Sequence, residues 1–213
     1  MSWVLMQNGG EQYVTGHNAI HPQYTIESLA HQLAMINRFT GATQRPYSVA
    51  EHSLLCADLA AEHGFGPVNQ LCCLLHDAHE SIVGDLASPI KWQLDDTWDN
   101  LERMHMRALR AHFGLLPAFA AHRDRVKALD LIALATERRD LLPWQPLRHR
   151  PWPLLDTPGQ AVEPADVNLA SAWRTHKHWT EWRDAFVERY EHLQGRLDSA
   201  ASAASAAREG ATQ

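Results

Sequence analysis

The sequence predicts an all-α fold, and three observations carry that prediction. Apolar residues recur at helical spacing through most of the 213-residue chain. One segment, with Val68, Leu71, Cys72, Leu74 and Leu75, is apolar on nearly every side, as expected of a helix at the centre of a bundle. No convincing alternating run announces a β-strand.

The elements follow in order. Residues 1–24 read as an irregular N-terminal segment, with turn signals at Gly9-Gly10, Gly16-His17-Asn18 and His21-Pro22. Thr25 is an N-cap hydroxyl before an acidic first turn. The helix it starts carries Leu29, Leu33 and Ile36 on one side, runs towards Arg38-Phe39 and stops at Gly41. Ser48 caps a second helix, in which Val49, His52, Leu55, Cys56, Leu59 and Ala60 recur at helical spacing. The central helix then runs on through His76-Asp77-Ala78-His79-Glu80 and ends near Gly84. Residues 85–92 form a loop or short turn broken by Pro89, and two long helices cover about residues 97–113 and 118–142. Residues 143–164 hold six prolines and read as an extended surface loop. A last helix, with a possible break, spans about 165–197, and residues 198–213 are an Ala/Ser-rich tail, either a weak extension of that helix or unstructured.

Composition narrows the function. Apolar residues make up 45% and charged residues 21%, which suits a folded globular domain. No apolar run approaches the roughly 18 residues of a membrane span, and residues 1–7 lack the basic start of a secretory signal. A cytoplasmic protein without a membrane partner is expected. A net charge of −6 argues against a nucleic-acid polymer as partner but leaves room for a small anionic ligand in a local basic pocket. Three cysteines, Cys56, Cys72 and Cys73, form no disulfide or paired-thiol zinc pattern and read as reduced, packed thiols. Fourteen histidines invite a search for a metal site.

His76 and Asp77 lie at the end of the most buried predicted helix, where an unpartnered carboxylate would cost several kcal/mol. A divalent cation removes that cost. Glu80 lies one helical turn on and projects to the same side. His52, among Leu55, Cys56 and Leu59, and Asp130, beside Leu129, are two further polar residues on apolar helix faces. Two His and two Asp from three helices form a mixed nitrogen/oxygen set suited to one first-row divalent ion, Co, Mn, Zn, Fe or Ni. The chemistry of the neighbouring residues fits hydrolysis of a phosphoester. Glu80 could hold a proton for a leaving oxygen, Asp85 could accept a hydrogen bond from water, and Arg38 offers a fork for phosphate oxygens.

The order His52, His76-Asp77, Asp130 resembles the metal motif of the HD-domain phosphohydrolases. The surrounding residues resemble them too: Ile36-Asn37-Arg38-Phe39, Tyr47-Ser48-Val49-Ala50-Glu51-His52-Ser53, and the run from His76 to Lys91. The likeness spans residues 25–142, within a domain of residues 25–197. It is to the branch of bacterial 5′-deoxynucleotidases and phage-type deoxynucleoside triphosphohydrolases. The interval from Arg38 to His52 is one residue shorter than in the deoxynucleotidase pattern.

The resemblance implies an HD-domain helical bundle and one divalent metal on His52, His76, Asp77 and Asp130. It also implies Glu80 as catalytic acid/base, Asp85 orienting water, Arg38 on the substrate phosphate with the aromatic Phe39 after it, and a homo-oligomer, dimer or larger. Lys91 lies where a basic residue can reach phosphate. Arg45 reads equally as a phosphate contact or a solvated loop arginine. His79 and His105 are conceivable donors to a second ion, although a single-ion centre is expected. Glu137-Arg138-Arg139-Asp140 reads as a solvated charged face, with Glu137 towards the pocket or at a subunit interface. The expected substrate is a deoxynucleotide cut between the 5′-oxygen and the α-phosphorus. Mono- and triphosphate both fit, and a degenerate nucleotide-sensing module is the alternative.

Overall fold

Pro67–Leu75 forms the helix (α3) about which the rest is arranged. Pro67 opens it where a missing N–H is harmless, and every residue from Asn69 to Leu75 is buried. The computed structural model describes residues 2–16, 19 and 24–210, and shows the expected all-α architecture. The turn signals at His17-Asn18 and His21-Pro22 lie outside the described residues.

Before α3 come α1 (Ile26–Met35) and α2 (Val49–Glu62). Thr25 and Ser28 form a reciprocal capping box on α1, and the Ser48 hydroxyl accepts from Glu51 N–H at the start of α2. Each such cap contributes about 1 kcal/mol. After α3 follow α4 (Glu80–Val83), α5 (Ser88–Lys91), α6 (Asp96–His112), α7 (Leu116–Leu141), α8 (Pro153–Asp156), α9 (Ala172–His176) and α10 (Trp179–Gly210). α2, α7 and α10 pack around α3, and α10 also lies along α1. Leu71, Leu74, Leu29, Leu33, Phe186 and Leu193 fill the space between them, each almost wholly buried.

Several expectations change. The N-terminal segment is not wholly irregular: β1 (Trp3–Leu5) and β2 (Glu11–Tyr13) form an antiparallel hairpin, turned at Gly9, and strands of three residues are too short to show a period. α1 stops at Met35 rather than Arg38, because Asn37 bridges Ser48 and the Arg38 N–H donates to Tyr47 O at 2.9 Å. A tight turn at Phe39–Gly41 follows, with Phe39 at φ 55° and Thr40 at φ 53° in the left-handed region. The central helix ends at Leu75, and residues 76–79 are turns before α4, which Gly84 closes at φ +79°. Residues 85–92 contain the single helical turn α5, and the last helix starts at Ala172 rather than near residue 165, with the expected break at Lys177-His178.

The proline-rich loop is stitched to the last turns of α7. Arg138 makes a bidentate pair with Asp156 at 2.6 and 2.8 Å and lies over the rings of Trp144 and Trp152. Asp140 accepts from Leu169 N–H, and Arg139 donates to Ala165 O and Val167 O. The charged run is therefore a fastening and not a solvated face. The Ala/Ser-rich tail continues α10 to Gly210 and is exposed over residues 198–209.

Candidate metal centre

Three helices deliver the predicted donors to one point. His52 comes from the buried face of α2, His76 and Asp77 from the end of α3, and Asp130 from the middle of α7. The break of α3 after Leu75 presents His76 and Asp77 together at this point. The Nε2 atoms of His52 and His76 face each other at 3.2 Å. Asp130 Oδ1 is 3.2 Å from His52 Nε2 and 3.7 Å from His76 Nε2. Asp77 Oδ2 is 3.5 and 3.2 Å from the same two atoms. A tetrahedral centre with bonds of about 2.0–2.2 Å has donor–donor edges of about 3.4 Å.

The outer nitrogens fix which atoms face inward. His76 Nδ1 lies 2.7 Å from Cys73 O, a partner that can only accept, so Nδ1 carries the hydrogen and Nε2 is the lone-pair atom of the neutral ring. His52 Nδ1 is likewise held by Glu137 Oε1 at 2.5 Å. Donor chemistry, spacing and tautomers fit a first-row divalent ion. His52, Cys56, His76 and Asp130 in particular offer donor atoms within 4.8 Å of one another. The imidazoles are buried, whereas the Asp130 side chain is 37% exposed, so the open side of the cluster lies by the carboxylates.

Without a cation the cluster shares protons. Burial favours neutral Asp77, but His76, His52 and Arg38 outweigh it and hold its pKa well below the usual carboxylate range. Asp130 is lowered in the same way, burial being overcome by hydrogen bonds from His52 and His76. Burial opposes protonation of both imidazoles. Asp77 and Asp130 nevertheless push His76 well up, and Glu137 with Asp130 raises His52 despite the nearby Arg38.

Beside the donors sit the residues expected to do chemistry. The Glu80 carboxyl is pushed well above its ordinary pKa by burial, then by Asp77 and Asp85, and its buried Oε2 has no hydrogen-bond partner among the described residues. Asp85 is half-buried and raised, mainly by burial, while Arg38 pulls it down. Arg38 reaches Asp77 Oδ2 at 3.4 Å and Glu137 Oε2 at 3.3 Å, both long contacts, and its buried Nε has no partner. Its guanidinium lies 5.4 Å from the Phe39 ring centroid, and Phe39 in turn approaches Trp152.

Two basic residues are placed otherwise. Lys91 is paired with Glu102 at 2.6 Å, with its charge within electrostatic reach of Glu80 and Asp77. Arg45 is neither a phosphate contact nor a solvated arginine. It is buried, makes a bidentate pair with Glu51 at 2.8 and 2.7 Å, and donates to Leu169 O and Pro46 O. With its donors filled by fixed acceptors it has nothing to offer a ligand.

His79 faces Glu102 at 3.6 Å, and His105 Nε2 meets Val14 O at 3.0 Å. Neither belongs to the metal-spaced group found among the described residues.

Two residues of the site carry more than their sequence positions suggested. Glu137, fully buried two turns after Asp130, accepts from Tyr47 at 2.9 Å and holds both His52 and Arg38. Its spacing from Asp130 was the available signal. Cys56, one turn after His52 on the same face of α2, joins the donor cluster, with Sγ 3.7 Å from His52 Nε2.

No family model matches the chain. An uncharacterized protein of Rhodobacter capsulatus is 36% identical over 121 residues, which cover 54% of this chain and 62% of that protein. The uncharacterized protein YfdR of Escherichia coli K12 is 38% identical over 117 residues, covering 54% of this chain and 60% of that protein. The chain thus spans about three fifths of the length of these curated relatives. No helix among the described residues is long and apolar enough to cross a membrane. What these observations establish is a mostly helical chain whose α2, α3 and α7 bring together a buried group of side chains able to hold a metal ion.

Proposed function

We propose that this chain is a metal-dependent phosphohydrolase of the HD-domain type that cleaves the 5′-oxygen to α-phosphorus bond of a deoxynucleotide. The observation that carries the reading is the convergence of two imidazole Nε2 atoms and two carboxylates, with Arg38, Glu80 and Asp85 beside them. A divalent ion on His52, His76, Asp77 and Asp130 would act as a Lewis acid on a phosphoryl oxygen and lower the pKa of water.

The chain's own residues supply the rest. Arg38, held only loosely by Asp77 and Glu137, turns its fork to the phosphate oxygens as charge builds on them. Burial and two neighbouring carboxylates disfavour the Glu80 anion, which suits Glu80 to give a proton to the leaving 5′-oxygen. Asp85, one residue past the turn at Gly84, accepts a hydrogen bond from the attacking water. Phe39 borders Arg38 and offers an aromatic face to the nucleoside. A monophosphate would yield deoxynucleoside and phosphate, and a triphosphate would yield deoxynucleoside and triphosphate.

The test is turnover by the purified full chain. It is stripped of metal, reloaded in turn with Mn, Co, Ni, Zn and Fe, and offered deoxynucleoside mono- and triphosphates, with products separated by chromatography. Metal-dependent release of deoxynucleoside, abolished in Asp77→Asn, is expected. Turnover that survives full chelation would sink the reading. Tight nucleotide binding without cleavage by any reloaded form would replace it with a sensor.

A further inference from the structure

Cys56 is the one side chain in the donor cluster that the four-ligand reading does not use. It is 1% exposed, and nothing about burial alone would aim a thiol at a histidine. The other two cysteines show what packing looks like here. Cys72 is buried in the core cluster, and Cys73 turns its thiol to Asn69 Oδ1 at 3.6 Å on its own helix. Cys56 instead presents Sγ at 3.7 Å from His52 Nε2, and within 4.8 Å of donor atoms on both His76 and Asp130.

A simple S–H to nitrogen hydrogen bond explains this poorly. His52 Nε2 already faces His76 Nε2, Asp77 and Asp130 within 3.2–3.5 Å, and one lone pair cannot serve four partners. A shared cation can serve them, four at a time in a tetrahedron or all together in a five-coordinate shell. Bonds of about 2.0 Å to nitrogen and 2.3 Å to sulfur at a tetrahedral angle give a nitrogen–sulfur edge of about 3.5 Å, near the separation found. The helix enforces the arrangement, since residues four apart on α2 project to one side.

We propose that Cys56 is a direct sulfur donor to the ion held by His52, His76 and Asp130, and that it makes this centre selective for thiophilic ions. The inference rests on the metal-centre reading above. Binding exchanges the S–H bond for a sulfur–metal bond and releases the thiol proton to solvent. Thiolate ligation favours Zn, Co and Fe(II) over Mg and Mn, so Cys56 narrows the ion class that two imidazoles and two carboxylates alone leave wide.

The experiment is titration of the chelator-stripped full chain with Co(II), read by absorption. A sulfur-to-cobalt charge-transfer band in the near ultraviolet should grow to one equivalent. It should vanish in both Cys56→Ser and Cys56→Val, while circular dichroism stays helical and a weaker d–d spectrum remains. Competition should show Zn binding in Cys56→Ser weakened by at least about tenfold relative to Mn, since loss even of an outer partner of a ligand typically costs that much. X-ray absorption of the Zn-loaded unmodified chain should show one sulfur neighbour, a result that needs no variant to fold. Co(II) bound at one equivalent with no such band, or a band unchanged in both variants, would overturn the role of Cys56 and leave the nitrogen/oxygen centre standing. Failure of the unmodified chain to bind Co(II) or Zn would remove the centre and the inference together.

Discussion

Two buried arginines, seven residues apart, both precede α2 and meet opposite fates. Arg45 is locked by short bonds of 2.7–2.9 Å to Glu51, Leu169 O and Pro46 O, and Arg174 reaches the same Glu51 carboxylate at 2.9 Å. Arg38 touches two carboxylates at 3.3 and 3.4 Å and leaves Nε unmet. Glu51, the partner of Arg45, and His52, which shares Glu137 with Arg38, are consecutive residues of α2, so one helix touches both a structural network and a reactive one. A buried arginine with every donor filled holds the fold together. One with long, unfinished contacts has free energy still to gain from a ligand.

The sharpest way to break this contrast is to remove each arginine in turn. Arg38→Ala should lower kcat for phosphoester hydrolysis by about 10²–10³, the cost typical of losing one transition-state donor. Arg45→Ala should leave turnover per folded molecule nearly intact and destabilise the fold by about 3 kcal/mol, because Glu51 keeps only Arg174. Kinetics and denaturant unfolding on the two variants would check this, and matching profiles would erase the distinction.

The two glutamates at the hearts of the networks should separate next. Glu137→Gln weakens the hold on His52 Nδ1 and should reduce metal affinity by about 10–100-fold, read by competition with a chelating dye. Glu51→Gln should shift the thermal midpoint instead and leave metal affinity unchanged.

The smallest effect is the response to pH, since only the Arg38 network contains imidazoles. In chelator, His52 and His76 have folded pKa values above their ordinary ones. Their contribution is complete below about pH 6.5, the unfolded value, and disappears as pH rises through the folded values. Asp77 and Asp130 are lowered, so theirs is present above about pH 4 and lost as pH falls further. The chelated protein should therefore be most stable between those limits. The loaded protein should keep gaining as pH rises past 6.5, because the ion needs neutral imidazoles. Thermal unfolding across pH, with and without chelator, would reveal parallel curves if no ion binds.

The sequence made the donors legible because His52, His76, Asp77 and Asp130 are polar residues on otherwise apolar helix faces. The helix starts at Thr25 and Ser48 were legible because caps are local chemistry. The fates of Arg38 and Arg45 were not, since the acceptors that fill Arg45 include Leu169 O, 124 residues away. Cys56 was hidden for a different reason. A cysteine among leucines looks the same whether it fills space or faces an imidazole, and only the rotation of α2 against α3 decides. The same holds for Arg138, Arg139 and Asp140, whose partners sit in a loop with no periodic signal.

The turn after Arg38 has a consequence of another kind. Phe39 and Thr40 both occupy left-handed backbone, which costs a side-chain-bearing residue about 1–2 kcal/mol and glycine almost nothing. A population screened only for heat resistance would drift towards glycine at these two positions and lose the aromatic ring beside Arg38. A population screened for turnover would hold on to the costly pair. The three residues from Arg38 to Thr40 are thus where directed evolution of this chain would show its two goals diverging first.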